Sequence, residues 1–124
     1  MKLISPRIHA YLDYVIATIL ILFHWIFGYE LKEVDSWVPM ISGLFYITYS
    51  ILTRFRNEHF GIISLQTHLI LDLLLGIFLI VTPWLGEFSE NPPFIQSILG
   101  VIIMIIAGMT KEKKYKEAGN EILE

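Results

Sequence analysis

RIHAYLDYVIATILILFHWIFGYE (residues 7–30) and THLILDLLLGIFLIVTPWLGEFSE (residues 67–90) have the same plan. Each has a histidine, a Leu-Asp pair three and four residues later, a long apolar run, and a tryptophan near its end. An apolar helix of about 20 residues, rising ~1.5 Å per residue, crosses a hydrocarbon core ~30 Å thick. A carboxylate near the start of such a run is expensive, about 2.5–3.5 kcal/mol on insertion scales, and calls for a partner. That the sequence has the same arrangement twice is the first clue to what the partner is.

The chain has 124 residues, of which 55% are hydrophobic, above the ~45–50% usual for a soluble domain. The excess is concentrated in four runs, roughly Ile8–Phe27, Trp37–Leu52, Leu65–Leu85 and Phe94–Met109. Local signals mark their ends. Ser5-Pro6 is an N-cap followed by a first-turn proline, Asp35-Ser36 offers caps with Pro39 in the first turn, and Asn91-Pro92 repeats the cap-then-proline pattern. Thr82-Pro83 should bend or end the third run, with Gly86 following. A soluble helical bundle is the alternative, but it needs a polar face on every helix, and 14–23, 69–81 and 98–109 have almost none. A cleaved signal peptide is not expected, because Trp25-Ile26-Phe27 stands where small cleavage-site residues belong.

Orientation follows from Lys and Arg. Lys2, Arg7, Arg54, Arg56, Lys111, Lys113, Lys114 and Lys116 lie on one side of the four runs, and only Lys32 lies on the other. The positive-inside rule puts both termini in the cytoplasm. Trp25, Tyr29, Trp37, Trp84 and Phe88 then fall at the outer ends, where an aromatic belt belongs. The Lys111–Lys116 segment reads as a topology signal, with weak attraction to anionic lipid opposed by Glu112 and Glu117.

With an offset of 59, Ser5 meets Ser64, His9 meets His68, Asp13 meets Asp72 and Trp25 meets Trp84, without a gap. In the second run of each half the offset is 57, pairing Gly43 with Gly100 and Thr53 with Thr110. Aligned leucines mean little in apolar runs; His, Asp and Trp in register argue for duplication. The expected fold is all-α: a four-helix transmembrane bundle of two tandem helical-hairpin repeats (about 5–56 and 64–111), with 112–124 as a cytoplasmic tail of a single membrane domain. A hairpin returns to its starting side, so the repeats share an orientation and are related by a pseudo-twofold along the membrane normal.

TPWLGEF (82–88), preceded by HLILD (68–72), resembles the SPW-repeat family of small bacterial and archaeal membrane proteins. That family is named for a Ser-Pro-Trp signature closing the first helix of a two-helix unit. Thr82 replaces the serine here, and the first copy reads Phe23-His24-Trp25. The resemblance implies a fold and a location, and no catalytic residues.

The candidate site is His9, Asp13, His68 and Asp72. Residues four apart share a helix face, and the next positions on it are Ala17 and Gly76. Two stripes of His, Asp and a small residue should face protein, and facing each other across the pseudo-twofold would bring runs one and three together near Ala17 and Gly76. Several roles stay open. Each His satisfies its own Asp or its twin and pins the helices; the four form a proton relay or ion site; they bind a divalent metal; or His9 and His68 ligate haem. Phe45, Tyr46 and Tyr49 read as packing residues, His24 as an interfacial polar residue and His59 as a solvated loop residue.

With a formal net charge of −3 no nucleic-acid partner is expected, and the absence of cysteine removes thiolate sites. No phosphate loop, Ser-His-Asp set or HExxH pattern occurs. The expected function is therefore non-enzymatic: a structural or accessory protein, alone or as a subunit of a larger membrane assembly, with lipid, other membrane subunits or its own copies as partners and no cofactor. A small transporter or proton-coupled protein using the His-Asp residues is the alternative, and a metal- or haem-binding redox subunit the third.

Overall fold

The computed structural model describes residues 3–28, 34–54, 61–85 and 94–110. They form α1 (Pro6–Ile21), α2 (Phe23–Phe27), α3 (Val34–Ile51), α4 (Leu65–Val81), a 3₁₀ turn (Thr82–Trp84) and α5 (Phe94–Met109), and no strand occurs among them. The fold is all-α. By length and composition one helix, Leu65–Trp84, is long and apolar enough to cross a membrane, and Phe94–Met109 is a shorter apolar helix.

Several boundaries follow the local chemistry. Ser5 caps α1, its hydroxyl accepting from the Ile8 N–H, with Pro6 in the first turn. Ser64 caps α4 in the same way through Thr67, 59 residues on. Pro83 ends α4 by forcing the tighter turn Thr82–Trp84. Two boundaries differ from expectation. The first run is not one uninterrupted helix: Leu22 leaves helical geometry (φ −94°, ψ 14°). Just before it, the Thr18 hydroxyl bonds back to the Tyr14 carbonyl at 2.8 Å, an interaction that bends helices. Gly28, at φ 80°, closes α2 with its N–H on the His24 carbonyl. In α3, Asp35 and Ser36 are already helical and buried, so Pro39 lies in the second turn. The Asn91-Pro92 and Gly86 signals lie outside the described residues, as do Tyr29, Phe88, His59 and the lysine tail.

The helices pack as two hairpins, α1 against α3 and α4 against α5, joined by narrower seams between α3 and α4 and between α1 and α5. Small residues set the spacing within each hairpin. A Cβ added to Gly43 would sit 2.8 Å from the Ala17 carbonyl oxygen, and one on Gly100 would sit 2.6 Å from that of Gly76. The expectation that Ala17 and Gly76 bring the first and third runs together is therefore corrected. Each small residue faces a glycine of its own hairpin, where two side-chain-poor surfaces let backbones touch. In the first two turns of α1 and α4 the facing side chains are His and Asp, and further along they belong to the apolar core.

Backbone hydrogen bonds tie the hairpins end to end. The N–H groups of Leu3 and Ile4 donate to the Met109 carbonyl at 2.8 and 2.9 Å, and those of Ile62 and Ile63 to the Leu52 carbonyl at 2.9 and 3.1 Å. These positions are related by the sequence offsets of 59 and 57. Gly61 (φ 98°) allows the second of these turns, since a Cβ there would lie 2.9 Å from the Leu52 oxygen.

The hairpin spacing is testable. Gly100→Ala should destabilise the protein by about 1–3 kcal/mol through overpacking. Gly108→Ala, with nothing within 4 Å of the added methyl, should leave the midpoint of thermal unfolding in detergent unmoved. Equal midpoints for the two variants would reject the close backbone approach.

Candidate functional site

His9 and Asp13 lie one turn apart in the first two turns of α1, and His68 and Asp72 do the same in α4. The fold brings all four together with no exposed surface on any of them. His9 Nε2 lies 2.9 Å from Asp72 Oδ2, and His68 Nε2 lies 2.7 Å from Asp13 Oδ2. The contacts within each helix are longer, 3.1 Å from His9 to Asp13 and 3.3 Å from His68 to Asp72. Each histidine thus pairs best with the aspartate of the other hairpin. The two Nε2 atoms are 3.3 Å apart, and the rings meet edge to face.

The outer atoms of the cluster are also engaged. His9 Nδ1 is 2.7 Å from the Thr110 hydroxyl at the end of α5. His68 Nδ1 is 2.8 Å from the Thr53 hydroxyl just after α3. Each threonine donates its single hydroxyl hydrogen to a helix carbonyl, Thr110 to Ile106 and Thr53 to Tyr49, both at 2.6 Å. Each threonine oxygen must therefore accept from histidine, which places a hydrogen on both Nδ1 atoms. The far carboxylate oxygens accept from tyrosines of α3: Tyr46 donates to Asp13 Oδ1 at 2.5 Å and Tyr49 to Asp72 Oδ1 at 2.6 Å. The Ser50 hydroxyl stands 3.5 Å from Asp13 Oδ2.

This accounting fixes what remains inside. Four atoms face one another, two imidazole nitrogens and two carboxylate oxygens. If all four carried only lone pairs they would repel, and two carboxylates would be buried without compensation. One proton per His–Asp pair satisfies the set, so the cluster holds two protons against its two aspartates. Whether a given proton sits on nitrogen or oxygen does not alter the sum. Such a group has no net charge toward its surroundings, which is what burial requires.

The sequence reading found the four central residues but assigned the tyrosines to packing. Tyr46 and Tyr49 are buried hydrogen-bond donors to the two aspartates, while Phe45 turns outward. Their spacing of three, on a helix facing buried carboxylates, is a signal that a buried tyrosine hydroxyl seeks a partner. Thr53 and Thr110, paired in the repeat alignment, went without a role; their recurrence was the available clue. The two hairpins do not contribute equally. Both tyrosines come from α3, and the positions 57 residues on are Ile103 and Ile106, part of the apolar core. His24 is partly buried beside Trp25 (ring centroids 4.8 Å apart), far along the chain from the cluster residues of α1.

Thr110→Val and Thr53→Val each remove the acceptor for a buried imidazole N–H without changing its volume much, so each should cost about 1–3 kcal/mol. Thr→Ser at either position keeps the hydroxyl and should recover most of the loss. Thermal unfolding in detergent distinguishes the two, and a valine variant as stable as wild type would reject the hydrogen on Nδ1.

The comparisons with known proteins bear on the whole arrangement. The SPW repeat domain matches residues 7–110, from the start of α1 to the threonine that closes the cluster. No curated protein and no solved structure matches the chain. A match over most of the sequence, containing both His-Asp helices and both hairpins, means that this chain belongs to the SPW repeat family.

Proposed function

We propose that the chain is a non-enzymatic integral membrane protein with a structural or accessory role, alone or within a larger membrane assembly. In this reading four helical segments cross the cytoplasmic membrane, both termini are cytoplasmic, and the two hairpins are tandem repeats about a pseudo-twofold along the membrane normal. The His-Asp cluster is the polar clamp that holds one repeat to the other.

The observation that carries this reading is the distribution of side chains, which is the reverse of a soluble protein's. The ionisable and hydroxyl groups of the cluster point inward, and Ile41, Leu44, Ile70, Leu74, Ile98 and Ile105 are among the exposed residues. Apolar surface of this extent on helices from both hairpins needs an apolar surrounding. At ~1.5 Å per residue, Pro6–Phe27 reaches ~33 Å, Val34–Ile51 ~27 Å and Phe94–Met109 ~24 Å. The shorter two match a thinned bilayer. The exposed Trp25, Trp37 and Trp84 fall at the end of the bundle opposite the cluster, consistent with one interfacial belt. The recurrence of cap, backbone clamp and glycine contact at offsets of 59 and 57 supports the repeat.

A clamp explains why buried ionisable groups are present at all. Lipid offers no hydrophobic force to draw two apolar hairpins together, so polar contacts and close packing must do it. The shorter His–Asp contacts run between hairpins, where such contacts hold the bundle together.

Two experiments test the reading. An Asn57→Cys variant should resist a membrane-impermeant thiol reagent added to intact cells and react after lysis; labelling in intact cells would reverse the topology. His9→Ala leaves Asp72 Oδ2 without its closest histidine and should lower stability by up to about 3–5 kcal/mol, moderated where the carboxyl takes up a proton. Asp13→Asn keeps shape and hydrogen bonding and should be milder. A pH-driven flux in liposomes that disappears in a folded Asp13→Asn variant would replace the clamp with a proton-coupled function.

A further inference from the structure

We propose that the His9–Asp13–His68–Asp72 cluster is a binding site for a divalent transition-metal ion of the zinc class, which takes the place of the two shared protons. The inference rests on the clamp reading of the same four residues and adds a ligand to it.

The donor set is two imidazoles and two carboxylates, with one ligand atom from each within 4.8 Å of the others. Their combined charge, two negative carboxylates and two neutral rings, balances a 2+ ion. The exchange is therefore even: one M²⁺ enters, two protons leave, and the buried group stays neutral. Imidazole and carboxylate together, without thiolate, suit zinc and its neighbours. Calcium and magnesium take six or more oxygen ligands, and the described residues around the cluster offer no such shell.

The histidines are held in the tautomer that metal binding needs. Because Thr110 and Thr53 have no hydrogen left to donate, Nδ1 carries the proton on each ring, and Nε2 presents a lone pair to the centre once the shared proton leaves. Metal-bound histidines characteristically donate their other N–H to such an acceptor, and metal-bound carboxylates are themselves hydrogen-bonded. Here Tyr46 and Tyr49 supply the latter, each on the oxygen that faces away from the centre. The outer shell of a metal site is thus complete on all four ligands.

The spacing agrees. Ligands disposed tetrahedrally at ~2.0–2.1 Å from zinc lie ~3.3 Å apart. The nitrogens are 3.3 Å apart, and the four nitrogen–oxygen separations are 2.9, 3.1, 2.7 and 3.3 Å. The two carboxylate oxygens form the wide pair, up to 4.8 Å apart, so a coordination shell requires the oxygens to close by about 1.5 Å while the shorter contacts expand by a few tenths of an ångström. All four ligands come from protein, so the ion would be closed off from substrate, as in structural rather than catalytic zinc sites. The cluster lies fully buried in the first two turns of α1 and α4.

The test uses the full-length protein in detergent, stripped with chelator and titrated separately with Zn²⁺ and Co²⁺. The expected result is one equivalent bound, a thermal midpoint raised by several degrees with Zn²⁺, and the visible absorption of four-coordinate cobalt with Co²⁺. Thr110→Val, which keeps all four ligands, should weaken binding ~10–100-fold. His9→Ala should abolish it, with Asp13→Asn as the second ligand variant if the first does not fold. No binding by the stripped wild-type protein, or binding undiminished in a folded ligand variant, overturns the proposal. The clamp reading is scored separately, by the unfolding of the same variants without metal, so metal binding can fail while the clamp stands.

Discussion

Charge cannot be buried alone, and the rest of this structure follows from that constraint. Two aspartates lie buried among helices that each expose large apolar side chains. Neither is stable there as an isolated carboxylate, and neither hairpin by itself holds the closest histidine for its own aspartate. The shorter contacts, 2.9 and 2.7 Å, cross from one hairpin to the other. Neutralising the buried charge and joining the two halves are therefore one interaction.

The layers around that interaction have a clear order. The inner four atoms share protons. Around them, threonines fix the histidine rings and tyrosines fix the carboxylates. Beyond these, Gly43 against Ala17 and Gly100 against Gly76 set the spacing of the helices within each hairpin, and in the first hairpin that spacing lets Tyr46 reach Asp13. The backbone bonds from Leu3 and Ile4 to Met109, and from Ile62 and Ile63 to Leu52, seat the threonines next to the histidines they serve. A change in an outer layer is felt in the centre because hydrogen bonds, unlike apolar contacts, lose their strength over fractions of an ångström.

The correspondence between the two hairpins is close in the backbone and partial in the side chains. Caps, glycine contacts, chain-end bonds and the four central residues all recur. The tyrosines do not: α3 supplies both, and α5 offers isoleucine at the matching positions. A pair of identical hairpins would form an evenly supported cluster. Here one hairpin supports both aspartates, and the other presents isoleucine at the matching positions.

Much was legible from the sequence alone. Apolar runs with capping serines and well-placed prolines determined the helical class, because those signals act within a turn or two of the chain. Two His-x-x-x-Asp repeats in register determined the central residues, because a helix puts positions four apart on one face whatever surrounds it. Membership of the SPW repeat family was readable from the Trp-closed runs. What tertiary structure decided was who meets whom. Periodicity says which side of a helix a residue occupies but not which helix lies opposite, so Ala17 and Gly76 were matched to each other rather than to Gly43 and Gly100. For the same reason Tyr46 and Tyr49 looked like core aromatics: their hydroxyls acquire a role only when α3 is set against two aspartates that are far away in the chain. The crossed pairing of His9 with Asp72 and of His68 with Asp13 could come only from the packing of one hairpin on the other.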